Sequence, residues 1–273
     1  MSLTPETISQ PLSGNGPSIE PGATPTAAVL IIGNEILSGR TQDVNLSHIA
    51  ETLTGIGVKL CEARVVADIE DEIIAAVRAL SARYNYVFTT GGIGPTHDDI
   101  TSACVARAFG VTLERNEEAV ARLTRHYGGS QHLNEARMRM AMIPAGASLI
   151  DNPISQAPGF RLGNVHVLAG VPNIMQAMLD GVLPTLVGGP ALHARTVACE
   201  LGEGSIAADL GALQDRYADI EIGSYPYFRA GFFGVSLVLR GTHEERLEAA
   251  TAELVDIVRR LGGTPNVTIG TKG

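Results

Sequence analysis

Continuous apolar runs alternate with amphipathic stretches through the first two thirds of the chain. Ala28-Val29-Leu30-Ile31-Ile32 is apolar at every position, which suits a central parallel strand covered on both faces. Gly33 ends it, and residues 33–45 form a polar loop too long for a plain strand-to-helix turn. Leu46, Ile49, Ala50 and Leu53 then recur at helical spacing, predicting a helix from about Leu46 with Asn45 as its N-cap. Gly55 and Gly57 stop it. Residues 58–66 read as a second strand, and Asp68 as the cap of a helix whose apolar face is Ile73, Val77 and Leu80. Tyr86 to Thr90 is a third strand. A glycine-rich turn follows, then a helix through Ala103, Val105, Ala106 and Phe109, ended by Gly110. Strands alternating with helices in this way predict a three-layer α/β sandwich around a mainly parallel sheet, with right-handed crossovers.

The pattern then turns more helical. Asn116 caps a helix bearing Val120, Leu123 and Tyr127, and Gly128-Gly129 breaks it. A second helix is expected over residues 134–142. Short strands are expected at 149–150, 159–161 and 165–168, followed by a helix opened by Pro172 and Asn173. Gly188-Gly189-Pro190 punctuates the chain as a boundary would, and beyond it the pattern restarts as βαββα. Thr242 and Glu245 have capping-box spacing before the last helix. The expected organisation is a flexible leader over residues 1–25, rich in Pro, Ser, Gly and Thr, an α/β domain over 26–190, and a small α+β domain over 191–273.

Charge and composition narrow the function. The formal net charge is −9, which argues against a protein living on nucleic acid or an anionic membrane. No apolar run approaches the length of a membrane span, and no signal peptide is visible, so the expected location is cytoplasmic. Cys61, Cys104 and Cys199 are too scattered for a zinc site or a disulfide framework.

The chemistry concentrates after the third strand, in Thr90-Gly91-Gly92-Ile93-Gly94-Pro95-Thr96-His97-Asp98-Asp99. Glycines permit positive φ and close ligand approach, and a strand, glycine turn and helix start together offer backbone N–H groups to phosphate. Two carboxylates at that spot repel an anion unless a cation or ligand N–H groups intervene. A plainer reading makes Asp98 a helix cap and Asp99 a dipole-compensating acid. Glu35, Asp43 and Asn45 lie in the loop after the first strand, and loops after neighbouring strands of such sheets converge. Four acids, Glu35, Asp43, Asp98 and Asp99, would then suit a divalent cation or a ligand edge rich in N–H groups, such as a pterin. Asn134, Arg137 and Arg139 could grip phosphate, or simply line a wet helix face. His97 could hold a metal or shuttle a proton, though a histidine so placed is more often an ordinary solvated loop residue.

Several of these strings resemble one family. Gly33-x-Glu35-x-Leu37-x-Gly39, Asp43-x-Asn45, the turn from Thr90 to Thr101, Asn134, Pro144-x-Gly146, Asn152-Pro153, Ala157-Pro158-Gly159-Phe160 and Gly170-Val171-Pro172 occur in the order found in the MoaB/Mog molybdopterin-binding domain. They are most similar to the branch in competence/damage-inducible protein A (CinA) and eukaryotic FAD synthases, over about residues 27–187. Residues 195–269 resemble the small KH-type domain that follows in CinA. The resemblance implies a site at the Thr-Gly-Gly loop that takes molybdopterin or a related nucleotide. In the CinA branch it implies metal-dependent hydrolysis of ADP-ribose or FAD, with Mg, Mn or Co as the metal. The expected ligand-binding residues are Thr90, Gly91, Gly92, Gly94, Thr96, Asn45, Asn134, Pro158 and Gly159. The expected catalytic residues are Asp43, Asp98 and Asp99, and the metal set adds Glu35. The family also implies a homo-oligomer, a dimer or trimer, with a small-molecule ligand. Ala169, Asn173-Ile174 and Ser155-Gln156 depart from the family pattern on the rim loops and leave the acidic centre intact. The small domain lacks the G-x-x-G loop with which KH domains clamp nucleic acid, so neither nucleic acid nor membrane is expected as a partner.

Overall fold

The first apolar run becomes β1 (Thr26–Ile32), buried from Ala27 onward. The loop after it holds a one-turn helix, α1 (Asn34–Leu37), before α2 (Asn45–Gly55). Next come β2 (Lys59–Val66), α3 (Glu70–Arg83), β3 (Tyr86–Thr90) and α4 (Thr101–Phe109). Two three-residue strands, β4 (Leu113–Arg115) and β5 (Met142–Pro144), pair with each other around α5 (Glu117–Tyr127) and α6 (Glu135–Arg139). This first part closes with β6 (Ser148–Ile150), β7 (Gly159–Leu162), β8 (Val165–Leu168) and α7 (Pro172–Val182). This computed structural model describes residues 16–229 and 232–270, and the chain divides between Gly189 and Pro190 into two units.

The first unit is built on a six-stranded sheet of order β2-β1-β3-β8-β7-β6. The strands from β2 to β8 in that order run parallel, and the β8-β7-β6 edge is antiparallel. Period-2 alternation in β1 sends Ala28, Leu30 and Ile32 into a core with α3 and α4. It sends Ala27, Val29 and Ile31 into a second core with Ile49 and Leu53 of α2 and Met175, Met178 and Leu179 of α7. The sheet is therefore the middle of three layers. Phe88 of β3 is fully enclosed, and burying a side chain of that size stabilises the fold by roughly 2–3 kcal/mol.

The topology also places the site. From β1 the chain passes through α2 to β2 on one side, then through α3 to β3 on the other. Strand order reverses at β1, which opens a crevice outside the carboxyl ends of β1 and β3.

The second unit runs β9 (His193–Cys199), α8 (Glu203–Arg216), β10 (Glu221–Arg229), β11 (Phe232–Gly241), α9 (Glu244–Arg260) and β12 (Asn266–Gly270). Its four-stranded antiparallel sheet has the order β10-β11-β9-β12. Both helices pack on one face, through Ile206 and Leu213 of α8 and Leu247, Leu254 and Val258 of α9. Arg195 is buried beside them and pairs with Glu244 at 2.9 Å. The βαββα pattern expected from the sequence lacks β12. Its five residues follow Gly262-Gly263 and are too exposed to show a buried alternation, yet they pair with β9 along their length.

Several local expectations need correcting. Asn45 is the first residue of α2 rather than its cap, and the Asp43 carboxylate takes the Leu46 N–H at 2.9 Å. Asp68 does not cap α3; it accepts the Asn34 N–H at 2.8 Å and so ties down the loop after β1. Thr242 and Glu245 form no capping box at α9. Asn116 does cap α5, accepting the Ala119 N–H at 2.9 Å. Of the expected leader, residues 1–15 lie outside the described residues. Residues 16–25 are held, since the Asn85 amide donates to the Pro17 carbonyl at 2.9 Å and the Lys59 N–H donates to the Pro25 carbonyl at 2.8 Å. Those bonds come from β2 and the residue before β3, which composition alone does not reveal. No helix among the described residues is long and apolar enough to cross a membrane.

Candidate functional site

The turn after β3 is pinned from three sides. Gly91 has φ +98° and Gly92 φ +68°, values that favour glycine. A Cβ on Gly91 would stand 2.2 Å from the Ile32 carbonyl oxygen at the end of β1, so the two strand ends meet backbone to backbone. Gly170, after β8, also packs here, since a Cβ on it would lie 3.2 Å from the Gly91 Cα. Thr101, the first residue of α4, donates its N–H to the Gly92 carbonyl at 3.0 Å and its hydroxyl to that of Gly91 at 3.1 Å. Ile93 and Ile100 anchor the loop in the α3/α4 core.

With the turn so held, the backbone N–H groups of Gly92, Ile93 and Gly94 have no acceptor among the described residues. Three successive free N–H groups after residues of positive φ form a concavity suited to an anion. α4 begins beside it and adds the positive end of its dipole.

The carboxylates gather around Thr96. Its hydroxyl lies 2.6 Å from an Asp98 oxygen and 2.5 Å from an Asp99 oxygen, and its N–H donates to that same Asp99 oxygen at 2.7 Å. The hydroxyl bond from Thr96 holds the Asp98 carboxyl below the usual range. Neither acid caps α4, whose N-cap residue is Ile100 without a side-chain bond. A Cβ on Gly94 would meet the Asp99 carboxylate at 2.7 Å, which is the local reason for the third glycine. His97 is exposed, with its imidazole 3.8 Å from Asp98.

The remaining expected residues separate. Glu35 lies folded over Gly33, and Asp43 is occupied at the start of α2. Among the described residues no three His, Cys, Asp or Glu side chains form a group able to hold a metal ion. The four acids expected to converge therefore do not assemble: Asp43 is taken by the Leu46 N–H, and Glu35 lies back over its own loop at Gly33. Asn45 is brought to the site differently from its expected capping role. It is buried, and its amide donates to the Gly170 carbonyl at 2.8 Å, linking α2 to the turn that backs Gly91. Thr90 is buried at the end of β3. Asn134 caps α6 by accepting the Arg137 N–H at 2.9 Å. Pro158 and Gly159 are buried, and a Cβ on Gly159 would stand 2.2 Å from the Val167 carbonyl, so that glycine serves strand packing.

Residues that the sequence singled out only weakly also matter. Asn152 is 4% exposed; its side chain donates to Ser155 and Ala157 and accepts from the Ile154 and Ser155 N–H groups. It holds the 152–158 rim loop, in which Gln156 takes φ +59°. Asn152→Ala is expected to destabilise the first unit by roughly 1–2 kcal/mol, read from urea denaturation, because the buried side chain and its four loop hydrogen bonds are lost. Cys104 sits in the core with its thiol pushed up to about 12 by burial, so it is no nucleophile at neutral pH.

Comparison with known proteins agrees with this architecture. Residues 28–188 match the family model described as "Probable molybdopterin binding domain", and residues 191–260 match "FAD synthase, middle domain". A CinA-like protein of Geotalea uraniireducens is 37% identical over 239 residues, 84% of this chain and 56% of its own length. A protein of Caenorhabditis elegans named "Probable FAD synthase" is 31% identical, covering 85% of this chain and 50% of its own. The chain thus spans about half the length of these two relatives. The crystal structure of CinA from Thermoplasma acidophilum, of unknown function, superposes with TM-score 0.57 at 36% identity, covering 59% of this chain and 98% of its own. With the matched domain filling most of the first unit and the ordered motifs on its crevice, the chain belongs to the MoaB/Mog molybdopterin-binding domain family, in its CinA-like branch.

Proposed function

We propose that the first unit binds a phosphorylated small molecule, a pterin phosphate or a nucleotide diphosphate, in the crevice between β1 and β3. The observation that carries this reading is the run of free N–H groups at Gly92, Ile93 and Gly94 at the reversal of strand order. The phosphate rests on that run and on the start of α4. Asp99, held by Thr96, keeps one carboxylate oxygen for an N–H or hydroxyl donor on the ligand. Val44 and Val171, exposed next to the bonded pair Asn45 and Gly170, offer apolar surface to a flat ring.

Isothermal titration with inorganic pyrophosphate, ADP-ribose, FAD and dephosphorylated riboflavin tests this. Binding of the phosphorylated compounds and not of riboflavin is the expected result; equal affinity for all four would sink it. Asp99→Asn is expected to weaken ADP-ribose about tenfold, through the lost charged acceptor, and not to weaken inorganic pyrophosphate, which loses a repelling charge.

A second reading, hydrolysis of ADP-ribose or FAD, is favoured by the paired carboxylates of Asp98 and Asp99 on the phosphate loop itself. A divalent ion would have to come to Asp98 and Asp99, since Glu35 and Asp43 do not join them in a metal-holding group. Incubation of the protein with each substrate and Mg, Mn or Co decides the matter. Release of nucleoside monophosphate supports hydrolysis; binding without turnover leaves the first reading alone.

A further inference from the structure

We infer that Arg139 is a specificity residue that holds the second phosphate of a diphosphate ligand; this rests on the reading of the Gly92–Gly94 turn as a phosphate site. Three polar residues, Asn134, Arg137 and Arg139, cluster on or just before α6, and their sequence does not distinguish them. The structure does. Asn134 spends its side-chain oxygen on the Arg137 N–H. Arg137 lies over the Tyr127 ring, 4.0 Å from its centroid, and donates to the His132 carbonyl at 2.5 Å. Both hold α6 in shape. Arg139 instead reaches across 43 residues of sequence and donates to the Thr96 carbonyl at 3.3 Å.

Thr96 is bonded through its N–H, its hydroxyl and its carbonyl: the first two go to Asp99 and Asp98, and the carbonyl takes Arg139. The guanidinium is thereby fixed at the loop by one of its five N–H groups, and among the described residues no carboxylate stands within ion-pair distance of it. An exposed arginine anchored to a carbonyl but without an acid partner keeps a fork of donors for an outside anion.

Electrostatics require such a cation. Two carboxylates on the loop oppose any anion entering the turn, and backbone N–H groups carry only partial charge. A single phosphate can be served by the Gly92–Gly94 turn. A diphosphate brings a second phosphoryl group and further negative charge, which the Arg139 fork meets. The pair of elements, turn and fork, therefore selects diphosphates over monophosphates.

Calorimetric titration of the full chain with inorganic pyrophosphate and inorganic phosphate tests this on wild type, Arg139→Ala, Arg139→Lys and Arg137→Ala. Wild type is expected to prefer pyrophosphate. Arg139→Ala is expected to weaken pyrophosphate about tenfold and phosphate less than about threefold, with an unchanged melting temperature. Arg139→Lys should recover part of the loss, since it restores the charge without the planar fork. Arg137→Ala should lower the melting temperature and leave the ratio of the two affinities alone. An unaltered pyrophosphate-to-phosphate ratio in Arg139→Ala, with wild type binding both, overturns the inference while the phosphate-site reading stands. No binding of either anion by wild type overturns both.

Discussion

Gly91→Ala is expected to destabilise the first unit by roughly 3 kcal/mol or more and to abolish pyrophosphate binding. Two penalties combine. At φ +98° an L side chain is strained in itself. The new Cβ would also press to 2.2 Å from the Ile32 carbonyl oxygen, a backbone atom at the end of β1, a strand held on both sides by β2 and β3. Relief requires the turn to move, and the turn carries the free N–H groups at Gly92 to Gly94. Gly39→Ala separates the two penalties, because Gly39 has φ +70° and a Cβ there would meet nothing within 4 Å. That variant should lose only about 1 kcal/mol, the conformational part, and keep its affinity. The comparison is read by urea denaturation followed by circular dichroism, together with calorimetric titration. If Gly91→Ala behaves like Gly39→Ala, the close approach of the two strand ends does not define the site.

Acid should weaken the first unit through His166. This side chain is 2% exposed on β8, stacked on Phe88 with ring centroids 5.1 Å apart, and neither ring nitrogen has a hydrogen-bond partner among the described residues. Burial, reinforced by the charge of its cross-strand partner Arg161, lowers its pKa from 6.5 to about 4. The folded state thus prefers the neutral ring. Above the unfolded value of 6.5 both states are neutral and nothing is lost. Between 6.5 and about 4 the unfolded chain takes up a proton that the folded chain refuses, so stability falls by about 3 kcal/mol across that window. Carboxyls held low in the fold, such as Asp98 beneath the Thr96 hydroxyl, lose their contribution only at lower pH, as they protonate. His166→Leu should remove the drop between pH 6.5 and about 4 and stay within about 1 kcal/mol of wild type at neutral pH, since an apolar side chain there leaves no polar atom unpaired. Urea denaturation at a series of pH values checks this; parallel curves for the two proteins would show that His166 does not cause the acid loss.

The same residues show how much is legible before folding is considered. β1 stands out because it is buried on both faces and apolar from Ala27 onward, and β3 because its β-branched and aromatic residues run straight into the glycine turn. The turn between Thr90 and Thr101 stands out because three glycines and two acids in so short a stretch have few uses. Caps are less secure. Asn116 caps as expected, yet Asp68 is drawn to the Asn34 N–H, and at α2 it is Asp43 rather than Asn45 that takes the Leu46 N–H; a cap competes with every donor and acceptor that the folded chain brings within reach. The short strands β4, β5 and β12 have three to five residues, too few for alternation to register.

Local chemistry in the sequence by itself determined the alternation of strands and helices, the split into an α/β unit and a small α+β unit, and the glycine turn with its adjoining acids. Those follow from periodicity and from the φ values that only glycine adopts freely. Tertiary structure alone decided which side chains share the crevice. Glu35 and Asp43 look equivalent to Asp98 and Asp99 as letters, but Asp43 is claimed by the Leu46 N–H and Glu35 folds back over Gly33, so neither joins them. Asn45 meets Gly170 across 125 residues, and Arg139 meets Thr96 across 43, because the sheet brings distant loops to one edge. Such pairings depend on the order of strands and the pinning of each loop, which no stretch of residues carries within itself.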